Sequence, residues 1–305
     1  MKRIGLKACG LAVLLAAGMA LADGGVSLNG AWSLSYFPQP DFGEVRDLKD
    51  VPADAKTLAA TVPGDAFLEL EKAKVSLVVS DERHDPVGQY LPLYGAHNTS
   101  GRIEEQLGWG PVAKKQVWQR VIKDKILHQS RVLGTRAREE AAEQLEKVAS
   151  EVRSGDSTNR EAHAAHVYFR ALFGSGFSRD DETPINAALN YGYALLLSSV
   201  NREIVSRGYL TQEGICHHNE FNQFNLSCDL MEPFRPIVDR IVFDNVEGDF
   251  TKDDKLLLVD MLNQAIPYRG GAYRMASVIS LYIKDCLDAL SKRLSVDAIE
   301  PFDVV

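Results

Sequence analysis

Cysteine is scarce in this sequence. Only Cys9, Cys216, Cys228 and Cys286 occur, with no close CxxC pair. With Cys9 inside a presumed leader, three would remain, an odd number that makes no disulfide framework; reduced, partly buried thiols are expected. Beyond residue 22 there is no run of 18 apolar residues, so no later membrane-spanning helix is expected. Internal repeats and low-complexity tracts are also missing. So is any overall excess of positive charge: the formal net charge is −8, which argues against a generally basic nucleic-acid binder. The distribution says more than the sum. Residues 1–101 carry −3, residues 102–170 carry +3 and residues 171–305 carry −8. Within 114–138, eight Lys or Arg face one acid, Asp124. That is a basic patch on an acidic protein.

What is present is enough to fold. A chain of 305 residues with 45% hydrophobic and 25% charged content can bury one large core or two modest ones. Its first 22 residues combine Lys2, Arg3 and Lys7 with an apolar run and Ala20-Leu21-Ala22. These are the parts of a secretory signal. Residues 23–65 alternate turn formers with short apolar pieces, VSLNGAWSLSYF and LAATVPGD, and read as strands. A short helix is expected over 65–74, then VSLVVS as a buried strand, the loop DERHDPVG and the extended piece QYLPLYGAHNTS.

After residue 101 the periodicity becomes helical. Val117, Trp118, Val121, Ile122, Ile126 and Leu127 form a stripe, with Lys114, Lys115, Lys123 and Lys125 read as largely off it. Residues 136–153 read as a surface helix, RSGDST breaks it, and a further helix is expected from Arg160 to Phe173. Thr183-Pro184 marks another start, Pro at the first helical position, running to about Arg207. Two or three more helices fill 228–294. The fold class is α+β: an incomplete N-terminal β-rich domain followed by a large all-helical catalytic domain.

Two places could carry chemistry. In STNREAHAAHVYF, Glu161 is either catalytic or the second half of a Thr158-x-x-Glu161 capping box; His163 and His166, one turn apart, read as an exposed pair. In CHHNEFNQFNLSCDLMEPFRP, Asp229 and Glu232 share one helical face and His217 lies in a loop upstream. One imidazole with carboxylates can hold a divalent cation and leave positions open for substrate oxygens. The alternative is that both acids favour the helix start marked by Pro233 and Pro236. His218 reads as a bystander.

Taken together, GICHHNEFNQFNLSCDLMEPFRP, TPINAALNYGYALLLSSVNREIV and NREAHAAHVYFRALFG closely resemble the Cas1 family of CRISPR-associated integrases, particularly its type II branch. The resemblance runs from about residue 67 or 75 to near the C-terminus. It implies a Mg²⁺ or Mn²⁺ site made by Glu161, His217 and Glu232, with Asp229 as a supporting acid. It also implies metal-dependent joining of DNA 3′-hydroxyls to phosphodiesters at a CRISPR repeat, and cutting of branched DNA by the reverse step. Lys114, Lys115, Lys123 and Arg235 would contact DNA phosphates. The implied partners are DNA, a second copy of the chain, and a small ferredoxin-like Cas protein in a heterohexamer, in the cytoplasm. His218 and His166 depart from the family pattern.

The N-terminal segment points elsewhere. VSLNGAWSLSYFPQ and LAATVPGDAFLELEKA resemble the start of the sugar-binding domain of β-mannosidase-like glycoside hydrolases, which the leader also suits. The two resemblances meet near FLELEKAKVSLVV, and the chain reads as a chimera: leader 1–22, foreign β-rich segment 23–66, remnant of the family's β-domain and linker 67–101, helical domain 102–305. The competing function is an exported carbohydrate-binding fragment, with Trp32 and Tyr36 at a sugar site and the helical part as passenger.

Overall fold

In the computed structural model, residues 98–304 are described in full, and before them the backbone of eight strands. The chain divides into two units, residues 1–92 and 93–305. In the first, β1 (Ile4–Ala8), β2 (Leu11–Ala17), β5 (Gly30–Pro38) and β6 (Lys56–Val62) form an antiparallel sheet in the order β1-β2-β5-β6. Two smaller pairs join β3 (Leu21–Ala22) to β4 (Gly25–Val26) and β7 (Leu77–Ser80) to β8 (Pro86–Tyr90). The strands expected in GAWSLSYF, LAATV and LVVS are thus present. The apolar run read as a leader is drawn as β1 and β2. The helix expected over 65–74 and the side chains of Trp32 and Tyr36 lie outside the described residues.

The second unit is helical. Its elements are α1 (Thr99–Leu107), α2 (Pro111–Gly134), α3 (Glu139–Ser150), α4 (Arg160–Phe173), α5 (Pro184–Ser206), α6 (Asn225–Met231), α7 (Arg235–Asn245), α8 (Lys252–Asp260) and α9 (Met275–Leu290). Pro at the first turn opens α2 and α5, where its missing N–H would have no intrahelical partner anyway. The Thr183 hydroxyl caps α5 by accepting from the Asn186 amide at 3.2 Å. Helix α3 is amphipathic, burying Ala142, Leu145, Val148 and Ala149.

Helix α2 is the hub, and α3, α4, α7 and α9 pack around it. Its burial therefore extends past one stripe to Asp124, Lys125, His128 and Gln129. Asp124 is matched by Arg120 at 2.8 Å and by the Tyr282 hydroxyl at 2.9 Å, as a buried charge requires. Phe234 stacks on Phe302, ring centroids 4.4 Å apart, with Tyr282 edge-on to both. Gly192 lets α5 approach α7 and α8: a Cβ there would lie 2.4 Å from Val238.

One element was not expected. Strands β9 (Ala265–Tyr268) and β10 (Gly271–Arg274) form an antiparallel hairpin. Arg269 and Gly270 both have positive φ, 48° and 73°, the backbone of a two-residue hairpin turn. The C-terminal part of the chain also holds four α-helices, α6 to α9, rather than two or three.

Candidate active site

Helix α4 brings in Glu161, but not through a capping box. Asp156, in the short 3-10 turn before the helix, accepts from the amides of Arg160 and Glu161 at 2.8 and 3.0 Å. With the helix end satisfied from outside, the Glu161 side chain turns to α2. The Lys125 ammonium donates to Glu161 Oε1 at 2.7 Å and to Glu232 Oε2 at 2.5 Å. Glu232 sits in a 3-10 turn between α6 and α7 that also holds Pro233, and Pro236 lies in the first turn of α7. The other Glu232 oxygen accepts from Arg235 at 2.8 Å. Neither Glu232 nor Asp229 caps a helix through its side chain. Two carboxylates from separate elements thus converge on one cationic point.

Lys125 and Glu232 are the buried members of this cluster, their side chains 10% and 5% exposed, whereas those of Glu161 and Arg235 are about a quarter exposed. Burial alone would push the Glu232 carboxyl up, but the Arg235 guanidinium and the Lys125 ammonium outweigh it and hold its pKa below the ordinary carboxylate range. Burial likewise works against the Lys125 charge, and Glu232 and Glu161 reverse the sign, raising its pKa. Arg235 lies over the Tyr193 ring, 4.5 Å from its centroid, and the Tyr193 hydroxyl donates to buried Asp239. Burial raises Asp239 to about 6.

The imidazole arrives on a loop. Asp229, on α6 and fully buried, accepts from the amides of Ile215, Cys216 and His217 at 2.7, 2.9 and 3.2 Å, and from His217 Nδ1 at 2.5 Å. With Nδ1–H donated to Asp229, Nε2 is left as the ligand or base nitrogen. The bond to Asp229 raises the His217 pKa, burial opposes it, and the charges of Asp229, Glu232 and Glu161 add to the rise. Trp118 of α2 sets its ring edge against the imidazole, centroids 5.8 Å apart. Further back, Gln106 of α1 pins the loop through Leu210 and Glu213. Gly214 is required by the close approach: a Cβ would lie 2.3 Å from the His217 carbonyl oxygen and 2.9 Å from Asp229 Oδ2.

The structure thus joins Glu161 to Glu232 through Lys125, and His217 to Asp229; the two pairs are linked by charge, Glu232 and Glu161 both adding to the rise at His217. Among the described residues no three His, Cys, Asp or Glu side chains stand as a ready-made metal cage. The donor chemistry nonetheless fits a divalent cation. Two carboxylate oxygens already share one positive charge, and an imidazole beside them has an oriented, open nitrogen.

His163, His166 and His218 are exposed. The Cys216 thiol is raised by burial to about 11, which keeps it from serving as a thiolate nucleophile. Lys115 and Lys123 are exposed, whereas Lys114 donates to the Gly214 carbonyl at 3.3 Å and Arg235 is committed to Glu232. A cavity of about 680 Å³ beside the start of α4 is lined by Arg153, Ser154, Thr158 and Arg160, among others, and does not include the three proposed ligands. Sequence reading missed Lys125, Tyr193 and Asp239. For Lys125 the signal existed: it follows Val121 by four and Ile122 by three, inside the apolar stripe and not off it. Among the described residues no helix is long and apolar enough to cross a membrane.

Comparison with known proteins identifies the family. The family model for CRISPR associated protein Cas1 matches residues 59–256, starting inside the 23–66 segment read as foreign. A CRISPR-associated endonuclease Cas1 from Neisseria meningitidis serogroup C (strain 8013) is 44% identical over 167 residues, 55% of each chain, so the match spans about half of that relative. One from Korarchaeum cryptofilum (strain OPF8) is 23% identical over 76% of this chain and 82% of its own. In fold, the chain resembles a casposase bound to integration product (TM-score 0.57, 18% identity, 94% of this chain and 92% of that one). It also resembles a chain of a Cas6-RT-Cas1–Cas2 complex (TM-score 0.60, 18% identity, 77% and 30%). With well over half of its length under the family model, this chain belongs to the Cas1 family.

Proposed function

We propose that this protein is a metal-dependent DNA integrase and endonuclease of CRISPR adaptation, joining the 3′-hydroxyl ends of captured DNA to a CRISPR repeat by transesterification. The observation that carries this reading is the convergence of Glu161 and Glu232 on one cationic point beside an oriented His217. Glu161, His217 and Glu232 are the proposed ligands of Mg²⁺ or Mn²⁺. When bound there, the ion supplies Lewis-acid polarisation of the attacked phosphodiester.

The chain's own residues do the positioning. Asp229 fixes the tautomer and direction of His217 while holding the loop backbone. Arg235 aligns Glu232 and is itself steadied by the face of Tyr193. Lys115 and Lys123 are proposed to neutralise phosphates along the DNA, a sequence-independent and salt-sensitive contribution. The relatives' names support an endonuclease, and the names of the fold neighbours, an integration product and a Cas1–Cas2 complex, support DNA and a second Cas protein as partners. A homodimer, a heterohexamer with a small ferredoxin-like Cas protein, and action in the cytoplasm belong to the same proposal.

The test is strand transfer of a 3′-hydroxyl oligonucleotide into supercoiled plasmid with Mn²⁺ or Mg²⁺. Transfer that vanishes with EDTA and in E232A is expected. Transfer surviving either change would contradict the assignment.

A further inference from the structure

Every oxygen of Glu232 already has a cationic partner: Oε1 takes Arg235 Nε at 2.8 Å and Oε2 takes Lys125 Nζ at 2.5 Å. The same ammonium holds Glu161 Oε1 at 2.7 Å. A divalent cation that uses Glu161 and Glu232 together must therefore enter a place where a positive charge stands. A lone pair on each oxygen remains geometrically open. A dication there, however, would lie within a few ångströms of the ammonium and repel it. One of the two resident cations has to yield. Arg235 is three residues from Glu232 on the same turn and stacked over Tyr193 at 4.5 Å, so it is held from two sides. Lys125 has a flexible four-carbon stem and only the two carboxylates as partners in its hydrogen bonds.

We propose that Lys125 is the resident cation of the metal-free site, and that a divalent ion binds by displacing its ammonium from Glu161 and Glu232. This rests on the metal-site reading above. The arrangement gives the empty site charge balance, since the buried Glu232 carboxylate and the partly exposed Glu161 carboxylate would repel without a cation between them. It also sets the ion's affinity lower than the ligand set alone would give, because the ion must first break two charge-assisted hydrogen bonds. Lys125 is thus a positioning residue: it holds the two glutamates at the spacing one cation needs.

Calorimetric titration of Mn²⁺ into the full chain tests this with wild type, K125M and E232Q. K125M removes the ammonium while keeping a long apolar stem. It is expected to bind Mn²⁺ about tenfold or more tightly than wild type, the scale of a lost charge-assisted hydrogen bond. In EDTA it should melt lower than wild type, and Mn²⁺ should raise its melting temperature by more. E232Q should lose the binding. Equal or weaker affinity in K125M, with E232Q still defective, overturns displacement and leaves the metal site standing. Absence of any E232Q-sensitive binding in wild type and K125M alike overturns the metal reading and this proposal with it. If K125M does not fold, wild type supplies the readout through pulse acetylation with acetic anhydride, read by mass spectrometry. Lys125 should be protected without metal and severalfold more reactive at saturating Mn²⁺; unchanged protection overturns the proposal.

Discussion

The two sides of the candidate site are built by opposite means. Glu161, Lys125, Glu232 and Arg235 come from helices and the tight turn between two of them, and hold one another by charge around the buried Lys125 and Glu232. His217 stands on an irregular segment, half exposed, and its imidazole donates its hydrogen bond to one buried carboxylate, Asp229. On the first side four charges share the burden, and losing one leaves the rest on helical backbone. On the second a single acceptor serves three amides and the imidazole. The difference separates positioning by secondary structure from positioning by one residue, and it predicts unequal sensitivity to mutation.

The largest expected effect is therefore at Asp229. D229A leaves three amides without an acceptor and the imidazole unanchored, a loss of stability on the order of 3–5 kcal/mol. Urea unfolding reads it, and a loss under about 1 kcal/mol would dissolve the contrast between the two sides. Next comes a pH effect behind the carboxylate side. Burial raises Asp239 in the fold to about 6, above its unfolded value of about 3.9. The group's stabilising contribution is then present below about pH 4 and is lost as pH rises through about 6, a change of roughly 2–3 kcal/mol. The stability difference between wild type and D239N should shift against wild type across that window. A difference that stays flat would show that Asp239 is ionised without penalty.

Smaller again is G214A, whose added methyl meets the His217 carbonyl and Asp229. About 1–3 kcal/mol of overpacking strain is expected. DNA strand transfer should fall much more than stability does, because the displaced residue is His217. If activity and stability fall in proportion, the loop is not a separate support. Smallest is K123A on the exposed face of α2. Its stability should stay within about 0.5 kcal/mol of wild type. The salt dependence of DNA binding should lose about 0.9 of slope for one phosphate contact on duplex DNA. An unchanged slope would remove Lys123 from the DNA face.

The same two sides differ in how well the sequence discloses them. Helix ends were legible where one residue decides them: Thr183-Pro184 starts α5, and α4 runs from Arg160 to Phe173 as its pattern predicts. The motifs single out Glu161, His217, Asp229 and Glu232 as candidates, and the fold joins Glu161 to Glu232 through Lys125 and His217 to Asp229. Glu161's local context suggested a capping box, yet Asp156 does the capping, which frees Glu161; spacing alone could not show which acid reaches the amides. Lys125 was misplaced because a lysine is ordinarily a surface residue, and only two glutamates from distant parts of the chain make its burial tolerable. The β9–β10 hairpin escaped because its turn is Arg-Gly and its strands have four residues each, too few for a periodicity. Tyr193 and Asp239 belong to one pair joined across 46 residues, a relation that no local pattern carries.

The central claim is that the helical carboxylates and the loop imidazole serve one reaction centre. The most direct measurement is a double-mutant cycle on Mn²⁺-dependent strand transfer, comparing wild type, E161A, H217A and the double variant. Residues that act as a unit lose their effect together. Each single substitution should cost at least about a hundredfold in rate, and the double should be no slower than the worse single. Losses that multiply in the double variant, or an H217A protein that transfers strands at the wild-type rate, would show that the two sides do not share a site.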